Sequence, residues 1–332
     1  MSTTVAPDKI LKELAELWVN TAQQGQAEGG AGVLRACSMT LLVLAEESED
    51  SQGLGETIAA LMPEHPARAI VARMSGPGER SLTERVYSQC WMPFGQRKQI
   101  CCEQVEITVS DAALADLPSV VLPLAVPDLP LILWCRSPRL AAMPEFLPIA
   151  AMAQKVVMDS GAMKDPAAAL KLIAALAAQG VLLGDLSWTR LTRWREMLAQ
   201  VFENQQYLGQ LVKVSGVKVE RGEGFGVAAL YMAVWLTDCL ADAGVHASFA
   251  VGPAAEGVSL RVELVGEGFA AELARREDRM VVTVNGFSQC TSLSQPTDYL
   301  LMREELGIVR HDPVFERALT RAAGLALPSE AK

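Results

Sequence analysis

The sequence predicts a two-domain α/β protein. Residues 1–163 are predicted to form a three-layer α/β domain with a mostly parallel sheet, and residues 164–332 an α+β domain with an antiparallel sheet. The chain has 332 residues, which corresponds to about two domains. Half of its residues are apolar and a fifth are charged, as is typical of folded proteins. Strands and helices alternate in the first half, which favours a parallel sheet there.

The first half combines amphipathic helices with apolar strands. Helices are predicted at 8–19, 55–62, the start of 114–126, and 146–157. Strands are predicted at 38–44, 67–73, 85–91, 101–109 and 131–135. The last of these strands is wholly apolar, as in strands that are buried on both faces of a parallel sheet. The polar segment 159–166 then interrupts the pattern and places the domain boundary nearby.

The second half begins with a clear helix signal. Asp165 is a good N-cap and Pro166 fits the first helical position, so a helix is predicted to run to about residue 178. Apolar residues at helical spacing predict an amphipathic helix from Thr192 onward. Further helices are predicted at 225–240, 297–306 and 314–323. Strands with short polar connections, which favour antiparallel pairing, are predicted at 211–220, 246–251, 259–265 and 280–285.

Composition excludes several functional classes. The 29 Lys and Arg residues are outnumbered by 39 Asp and Glu, giving a net charge of −10, and no dense basic run is present to bind nucleic acid. The chain shows no leader-like start and no apolar run long enough to span a membrane, so a cytoplasmic protein without a membrane partner is expected. Its seven cysteines are scattered, without disulfide-framework or zinc spacing, and all seven are expected to be buried and inert.

No catalytic motif emerges from the sequence, and neither a cofactor nor a metal is predicted. A phosphate-binding loop is absent, and no histidine lies in a known catalytic motif. Ser215 and Lys218 have S-x-x-K spacing, but in a predicted strand they point to opposite faces. The segment most similar to a dinucleotide-binding fingerprint is Gly224-x-Gly226-x-x-Ala229, which precedes a helix that is predicted to be buried. A tight glycine turn into a core helix is the alternative interpretation.

Four clusters contain candidate binding residues. Arg68 leads into a strand, Asp128 lies in a Pro-Asp-Leu-Pro turn, and Asp159 follows a predicted helix. Each of these clusters can also be an ordinary turn, in which Asp and Ser bond to nearby backbone. The fourth cluster, 184–195, contains two Trp and three Arg in eight residues, and both types are over-represented at protein interfaces. Trp194 lies on an apolar helix stripe and is expected in the core, whereas Trp188 and Arg190 remain open.

These clusters make the sequence similar to a known family. The matching stretches are RACSMTLLVLAE, HPARAIV, PLAVPDLPLILW, DSG and GDLSWTRLTRWREMLAQVFEN, followed by AALYMAVWLTDCL. They resemble the glucose-6-phosphate dehydrogenase assembly proteins of the OpcA family, over roughly residues 34–306. Two positions differ: Trp134–Cys135 stands where the family typically has paired tryptophans, and Arg193 stands where it usually has proline.

The resemblance implies a non-enzymatic helper that binds glucose-6-phosphate dehydrogenase and promotes its oligomerisation and activity. The alternative is a small-molecule sensor in which Arg68, Asp128, Asp159, Asp185 and Arg190 converge on one pocket and hold a sugar phosphate or nucleotide. A nicotinamide-dependent enzyme using Gly224 and Gly226 is a third hypothesis. Self-association is compatible with all of them. The candidate partner- or ligand-binding residues are Arg68, Asp128, Trp134, Asp159, Asp185, Trp188, Arg190 and Arg193.

Overall fold

The computed structural model describes residues 6–27, 33–91 and 99–325. Its strands are β1 Val33–Arg35, β2 Met39–Glu46, β3 Ala67–Met74, β4 Leu82–Trp91, β5 Gln99–Val109, β6 Leu131–Cys135, β7 Lys155–Met158, β8 Leu182–Asp185, β9 Val214–Arg221, β10 Ser248–Pro253, β11 Val258–Gly266, β12 Phe269–Arg276, β13 Arg279–Val284 and β14 Phe287–Ser292. Its helices are α1 Pro7–Ala27, α2 Ser51–Leu61, α3 Leu117–Leu124, α4 Pro138–Ala141, α5 Phe146–Ala150, α6 Pro166–Ala178, α7 Leu186–Thr189, α8 Thr192–Glu203, α9 Gln205–Leu208, α10 Gly226–Asp242, α11 Asp298–Gly307 and α12 Pro313–Leu325.

The chain forms two compact units that are not continuous in sequence. The first unit contains the chain up to Met158, together with Gly180–Gly184 and Asp298–Gly307. The second unit contains Asp159–Gln179, Asp185–Thr297 and the chain from Ile308 onward. The sequence predicts a single boundary after residue 163, and that division into domains stays a prediction.

The first unit is built on a largely parallel sheet, as predicted. Its strand order is β1-β5-β3-β2-β6-β7-β8, with β4 pairing antiparallel to β5. The strands β1, β5, β3, β2, β6 and β7 pair in parallel. Every residue of β3 is buried, and so are all but the last of β2. If β2 is counted as the first strand, the order β5-β3-β2-β6-β7-β8 is the 3-2-1-4-5-6 order of doubly wound dinucleotide-binding folds.

One predicted helix of the first half is wrong. The segment 146–157 forms the short helix α5, and then the strand β7. Val156 and Val157 are completely buried, and β-branched side chains favour strands. Periodicity alone does not distinguish a short buried strand from a buried helix. As a consequence, Asp159 directly follows a parallel strand instead of a helix.

The second unit has a sheet dominated by antiparallel pairs, as predicted, with one exception. Its order is β10-β9-β11-β12-β13-β14, and the pairs from β9 to β14 are antiparallel. The exception is β10, which lies parallel to β9 and is joined to it through α10. A parallel connection needs a crossover of this length, and α10 supplies it. The sequence prediction missed β12 and β14 altogether.

Helix signals were the more reliable part of the prediction for the second unit. Asp165 caps α6, and its side chain accepts hydrogen bonds from the backbone N–H groups of Ala167 (2.9 Å) and Ala168 (3.3 Å). The helix α10 is buried on most of its surface, as its all-round apolar character indicates. Leu260, Val262 and Leu264 of β11 form part of the buried face of the sheet. Among the described residues, no helix combines the length and apolar character needed to cross a bilayer.

The expectation that all seven cysteines are buried is wrong. Cys102 and Cys135 are buried, and burial raises the pKa of their thiols to about 11 and about 12. Cys37 is partly exposed, whereas Cys239 and Cys290 are exposed. The side chains of Cys90 and Cys101 lie outside the described part of the chain.

Candidate functional site

Two segments predicted as separate clusters meet in the second unit. Asp159 directly follows β7, and Arg190 directly follows α7. The Arg190 guanidinium donates two parallel hydrogen bonds to the Asp159 carboxylate, Nη1 to Oδ1 at 2.7 Å and Nη2 to Oδ2 at 2.5 Å. The Ser187 hydroxyl donates a third to Asp159 Oδ1 at 3.1 Å. Burial raises the pKa of Asp159, but the hydrogen bonds and charge of Arg190 outweigh it and hold that pKa below its ordinary value.

Asp185 is the buried centre of this group and has no exposed surface. Its Oδ1 accepts hydrogen bonds from the backbone N–H groups of Ser160 (3.1 Å) and Ser187 (2.9 Å). Its Oδ2 accepts one from the Tyr231 hydroxyl at 2.8 Å. Burial raises the pKa of Asp185 to about 6. The pKa of Tyr231 is raised as well, by its burial and by the negative charge of the neighbouring Asp185. We call the residues Asp159, Asp185, Ser187, Arg190 and Tyr231 the Asp185 cluster.

Trp188 supports this cluster from the core. Its side chain is only 4% exposed, and its ring lies edge-on to Tyr231, with centroids 5.7 Å apart and planes at 81°. Phe315 packs at 5.8 Å on the same ring system, and the Arg195 guanidinium lies 3.7 Å from the ring centroid. The cluster 184–195 therefore contributes an internal aromatic contact and a cation–π contact at Trp188.

Two of the remaining candidates are buried. Arg68 is buried in β3, where it pairs with Glu103 and donates to the backbone oxygen of Leu124 at 2.6 Å. Trp134 is 1% exposed, with the Arg136 guanidinium 4.5 Å from its ring centroid.

Two candidates are open to solvent. Asp128 is exposed in a left-handed conformation, with φ at 63°, so its cluster is the turn that its sequence allows. Arg193 has 73% of its side chain exposed and pairs with Glu196 at 2.9 Å.

The convergence expected for a small-molecule sensor is only partly present. Arg68 and Asp128 belong to the first unit, whereas Asp159, Asp185 and Arg190 belong to the second. The latter three do come together, but their hydrogen bonds are directed at one another and at neighbouring backbone. A ligand at this position would have to replace these bonds, since the same polar atoms already use them.

Tyr231 was not predicted as a site residue, and Ser187 and Arg195 were predicted only as members of the cluster 184–195. Tyr231 carried a usable signal, because a buried tyrosine in a helix that is apolar all round needs a partner for its hydroxyl. No local pattern indicates that the partner is Asp185, 46 residues earlier.

The first unit contains the position at which doubly wound folds bind dinucleotides. That position is the turn after the first strand of the order, where a glycine-rich loop and a helix N-terminus hold the pyrophosphate. In this chain the turn after β2 reads Glu46-Glu47-Ser48-Glu49-Asp50. The Asp50 carboxylate accepts hydrogen bonds from the N–H groups of Gln52 (3.0 Å) and Gly53 (3.1 Å) at the start of α2. The helix terminus is therefore occupied by the chain's own carboxylate.

Two arginines next to this acidic turn are already paired. Arg139 donates to Glu46 (Nη2 to Oε2, 3.1 Å) and to Asp111 (Nη1 to Oδ2, 2.7 Å). Arg136 pairs with Glu49 and with Asp298, the latter at 2.6 Å. A pyrophosphate at this position would be repelled by four carboxylates within five residues. It would also have to compete with these carboxylates for the two arginines. The turn disfavours a dinucleotide.

The Gly224–Gly226 fingerprint lies in a crossover that the sequence analysis did not expect. Because β10 is parallel to β9, α10 begins at the edge where both strands end. A cavity of about 310 Å³ lies there, lined in part by Arg221, Gly226 and Val251–Pro253. The Pro166 side chain packs directly against Gly226, where a dinucleotide fingerprint needs open access to the backbone. Among the described residues, no group of three or more His, Cys, Asp or Glu side chains is placed to hold a metal ion.

Solved structures share this architecture only loosely. A dehydrogenase from Chromobacterium violaceum has a TM-score of 0.48 and 13% identity, covering 87% of this chain and 94% of that one. The biliverdin reductase of Synechocystis, in complex with biliverdin and NADP+, has a TM-score of 0.43 and 11% identity, covering 86% and 98%. Both scores are below 0.5, so neither likeness bears on the function or ligands of this chain.

Curated cyanobacterial proteins, named as OpcA of the OxPP cycle, are related in sequence. The protein of Synechocystis is 24% identical over 206 residues, which is 61% of this chain and 42% of that protein. The protein of Nostoc punctiforme is 28% identical over 141 residues, or 42% and 30% of the two chains. The matches thus span less than half the length of these relatives.

Two family models match consecutive parts of the chain. The model described as the glucose-6-phosphate dehydrogenase subunit N-terminal domain matches residues 58–175. The model described as the C-terminal domain of the same subunit matches residues 182–319. Together they cover well over half of the chain, in the order that the family requires. The chain therefore belongs to the OpcA family of glucose-6-phosphate dehydrogenase assembly proteins.

Proposed function

We propose that this protein is a non-catalytic assembly factor that binds glucose-6-phosphate dehydrogenase and promotes its oligomerisation and activity in the oxidative pentose phosphate pathway. The observation that carries the proposal is the match of both family models, one after the other, over residues 58–175 and 182–319. Relatives named as OpcA of the OxPP cycle support the same pathway.

The turn after β2 supports a role without dinucleotide chemistry. A doubly wound fold that binds a dinucleotide needs a helix N-terminus that is open to phosphate. Here Asp50 caps that terminus, and Arg136 and Arg139 neutralise Glu49 and Glu46. We infer that the fold provides a scaffold for a protein partner.

Activation by such a scaffold follows from linkage. A partner that binds the active oligomer better than the free protomer shifts the population toward the oligomer. By reciprocity, any ligand that favours the same oligomer tightens the binding of the scaffold. We therefore expect the effect on rate to be largest where glucose-6-phosphate dehydrogenase alone is mostly dissociated.

Exposure limits which candidates can touch the partner. Arg68, Trp134, Asp185 and Trp188 are all buried, so we propose that they maintain the scaffold. Asp128 and Arg193 are exposed, and Arg193 lies on the solvent side of α8. Arginine is enriched among residues that dominate interface energies, so we propose that Arg193 contributes to partner binding.

The proposal is tested with the two purified proteins from one source. We expect a co-eluting complex, with a mass above that of either protein, and an increased rate of NADPH formation at low enzyme concentration. The Arg193→Ala variant is the probe for the interface, and Lys171→Ala, at an exposed position of α6, is the matched control. The absence of both a complex and a rate change, at all substrate levels, would refute the proposed function.

A further inference from the structure

The outer edge of the sheet in the second unit is unusually unprotected. The strand β14 is the last in the sheet order, and all six of its residues are exposed. Its sequence, Phe-Ser-Gln-Cys-Thr-Ser, contains no charge and no proline. Exposed edge strands are normally guarded by lysine, proline, bulges or a covering element, because their free backbone groups recruit another strand. In the described part of the chain, β14 has none of these.

The opposite edge of the same sheet differs. The strand β10 ends in Pro253, and three of its residues are partly buried. The helix α10 packs against it. The two edges therefore differ in protection, and β14 is the one that is open for pairing.

Hairpin geometry determines which backbone groups of β14 face outward. Asn285 and Gly286 form a two-residue turn in which both φ angles are positive, 48° and 85°, as a type I′ turn requires. This turn closes on the pair Val284–Phe287, and the pairs behind it alternate between bonded and non-bonded. The N–H and C=O groups of Phe287, Gln289 and Thr291 thus bond to β13. Those of Ser288, Cys290 and Ser292 point away from the sheet.

We propose that a second copy of this chain pairs with β14 in antiparallel orientation, around a twofold axis at Cys290. Charge favours a second copy as the occupant of this edge. Each copy carries a net charge of −10, so copies repel one another, and a contact between them is favoured where charges are absent. The uncharged strand β14 brings no like charges into opposition when it pairs with itself.

The length of the overlap and an apolar contact favour this register. Among the outward-facing residues, Cys290 is the central one, so an axis there gives the longest pairing, with Ser288 opposite Ser292 of the second copy. The same register places Phe287, which is 77% exposed, opposite Leu293 of the second copy. Leu293 continues the ladder, since its N–H donates to the Asp278 backbone oxygen at 2.9 Å. The proposed pairing covers an exposed aromatic side chain. It does not depend on the proposed binding of glucose-6-phosphate dehydrogenase.

The axis also gives a distance that an experiment can use. Directly opposed residues of a bonded antiparallel pair have Cα atoms about 5.5 Å apart. Disulfides form at Cα separations of about 4.4–6.8 Å, so the Cα separation at the axis lies within the range that a Cys290–Cys290 link requires. Diamide is a suitable probe, because it takes up the two electrons and two protons that are released when two thiols become one disulfide.

The first test is the mass of the full chain by sedimentation velocity under reducing conditions. We expect a dimer of twice the 35.7 kDa chain at micromolar concentration. Cys290→Ser should keep the dimer, whereas Cys290→Asp should weaken it about fivefold, because two carboxylates then face each other at the axis. Cys239→Asp, at the other exposed cysteine of the second unit, is the matched control and should leave it unchanged. A thermal melt of each variant separates loss of the dimer from loss of the fold.

The second test is diamide cross-linking followed by a non-reducing gel. A linked dimer that disappears in Cys290→Ser and persists in Cys239→Ser supports the proposed axis. A monomer at all concentrations, a dimer that Cys290→Asp does not weaken, or cross-linking that persists in Cys290→Ser would each overturn the proposal.

Discussion

Among the acid–arginine arrangements of the described residues, the one at the turn after β2 in the first unit and the one around Asp185 in the second unit differ in burial. In the first unit, Arg139 and Glu46 at the turn after β2 have side chains that are 38% and 30% exposed, whereas Arg136 and Glu49 beside them are 20% and 23% exposed. In the second unit, Arg190 and Asp159 are 21% and 23% exposed, and Asp185 beside them is completely buried. The same residue types serve two purposes. The first arrangement occupies the position where a phosphate would bind, whereas the second surrounds a completely buried carboxylate.

The comparison teaches that burial, more than residue type, sets the energetic weight of a charged pair. Exposed pairs contribute about 0–1 kcal/mol, because solvent screens them. Removing one member of a buried pair leaves a charge without compensation and costs several kcal/mol. The losses of stability caused by substitutions in the two arrangements should therefore differ in size.

The largest effect is expected for Trp188→Ala, which removes the ring that packs against Tyr231 and Arg195. We expect the free energy of unfolding to fall by about 4 kcal/mol, from lost burial and the cavity left behind. Urea denaturation measures it. The matched control is Glu47→Ala in the exposed turn, which should stay within about 0.5 kcal/mol. A loss below 1 kcal/mol in Trp188→Ala would show that this ring is not part of the core.

The second prediction concerns pH and Asp185. Its folded pKa of about 6 lies above the ordinary value of 3.8, so the folded state binds more protons than the unfolded state between these values. The contribution of Asp185 to stability is therefore fully present at low pH and is lost as pH rises through about 4 to 6, by about 3 kcal/mol in total.

The measurement is urea denaturation of wild type and Asp185→Asn at pH 4.5, 5.5 and 7. We expect the stability advantage of the wild type over the variant to shrink as pH rises. Asp159, with its lowered pKa, acts in the opposite direction: its contribution is present above the unfolded pKa and is lost as pH falls. An advantage that stays constant across the range would contradict the buried position of Asp185.

A smaller effect is expected for Arg190→Ala, which leaves the Asp159 carboxylate without its bidentate partner. We expect a loss of about 2 kcal/mol, because the pair is only partly exposed. Arg139→Ala at the surface arrangement is the control, with an expected loss of about 0.5 kcal/mol. Adding Asp159→Asn to Arg190→Ala should recover part of the loss. Equal losses in the two single variants would remove the distinction between the arrangements.

The smallest effect on stability is expected for Arg193→Ala, at a position that belongs to neither arrangement. Stability should change by less than about 0.5 kcal/mol, because 73% of the side chain is exposed. The affinity for glucose-6-phosphate dehydrogenase should fall about tenfold, as for an interface arginine. Titration of the variant against the enzyme measures this, and an unchanged affinity would exclude Arg193 from the interface.

Much of the fold followed from local patterns. The buried strands β2, β3 and β6 were predicted from apolar runs, and α6, α8 and α10 from caps and helical periodicity. Errors arose where a short apolar run had no distinguishing signal, as at β7, or where charges interrupted the alternation, as at β12. The parallel pairing of β10 with β9 also escaped prediction, because strand direction depends on how a crossover packs and not on the sequence of either strand.

By itself, the sequence determined the acidic character of the chain, the capped helices, the buried strands and the motifs that indicate its family. These are properties of composition, spacing and side-chain order, which need no knowledge of distant contacts. The tertiary structure alone decided that Asp185 meets Tyr231, that Trp188 is internal and that Cys290 lies on an open edge. Burial and pairing between residues far apart in the chain arise only when the elements pack, and they decide whether a candidate residue stabilises the scaffold or faces a partner.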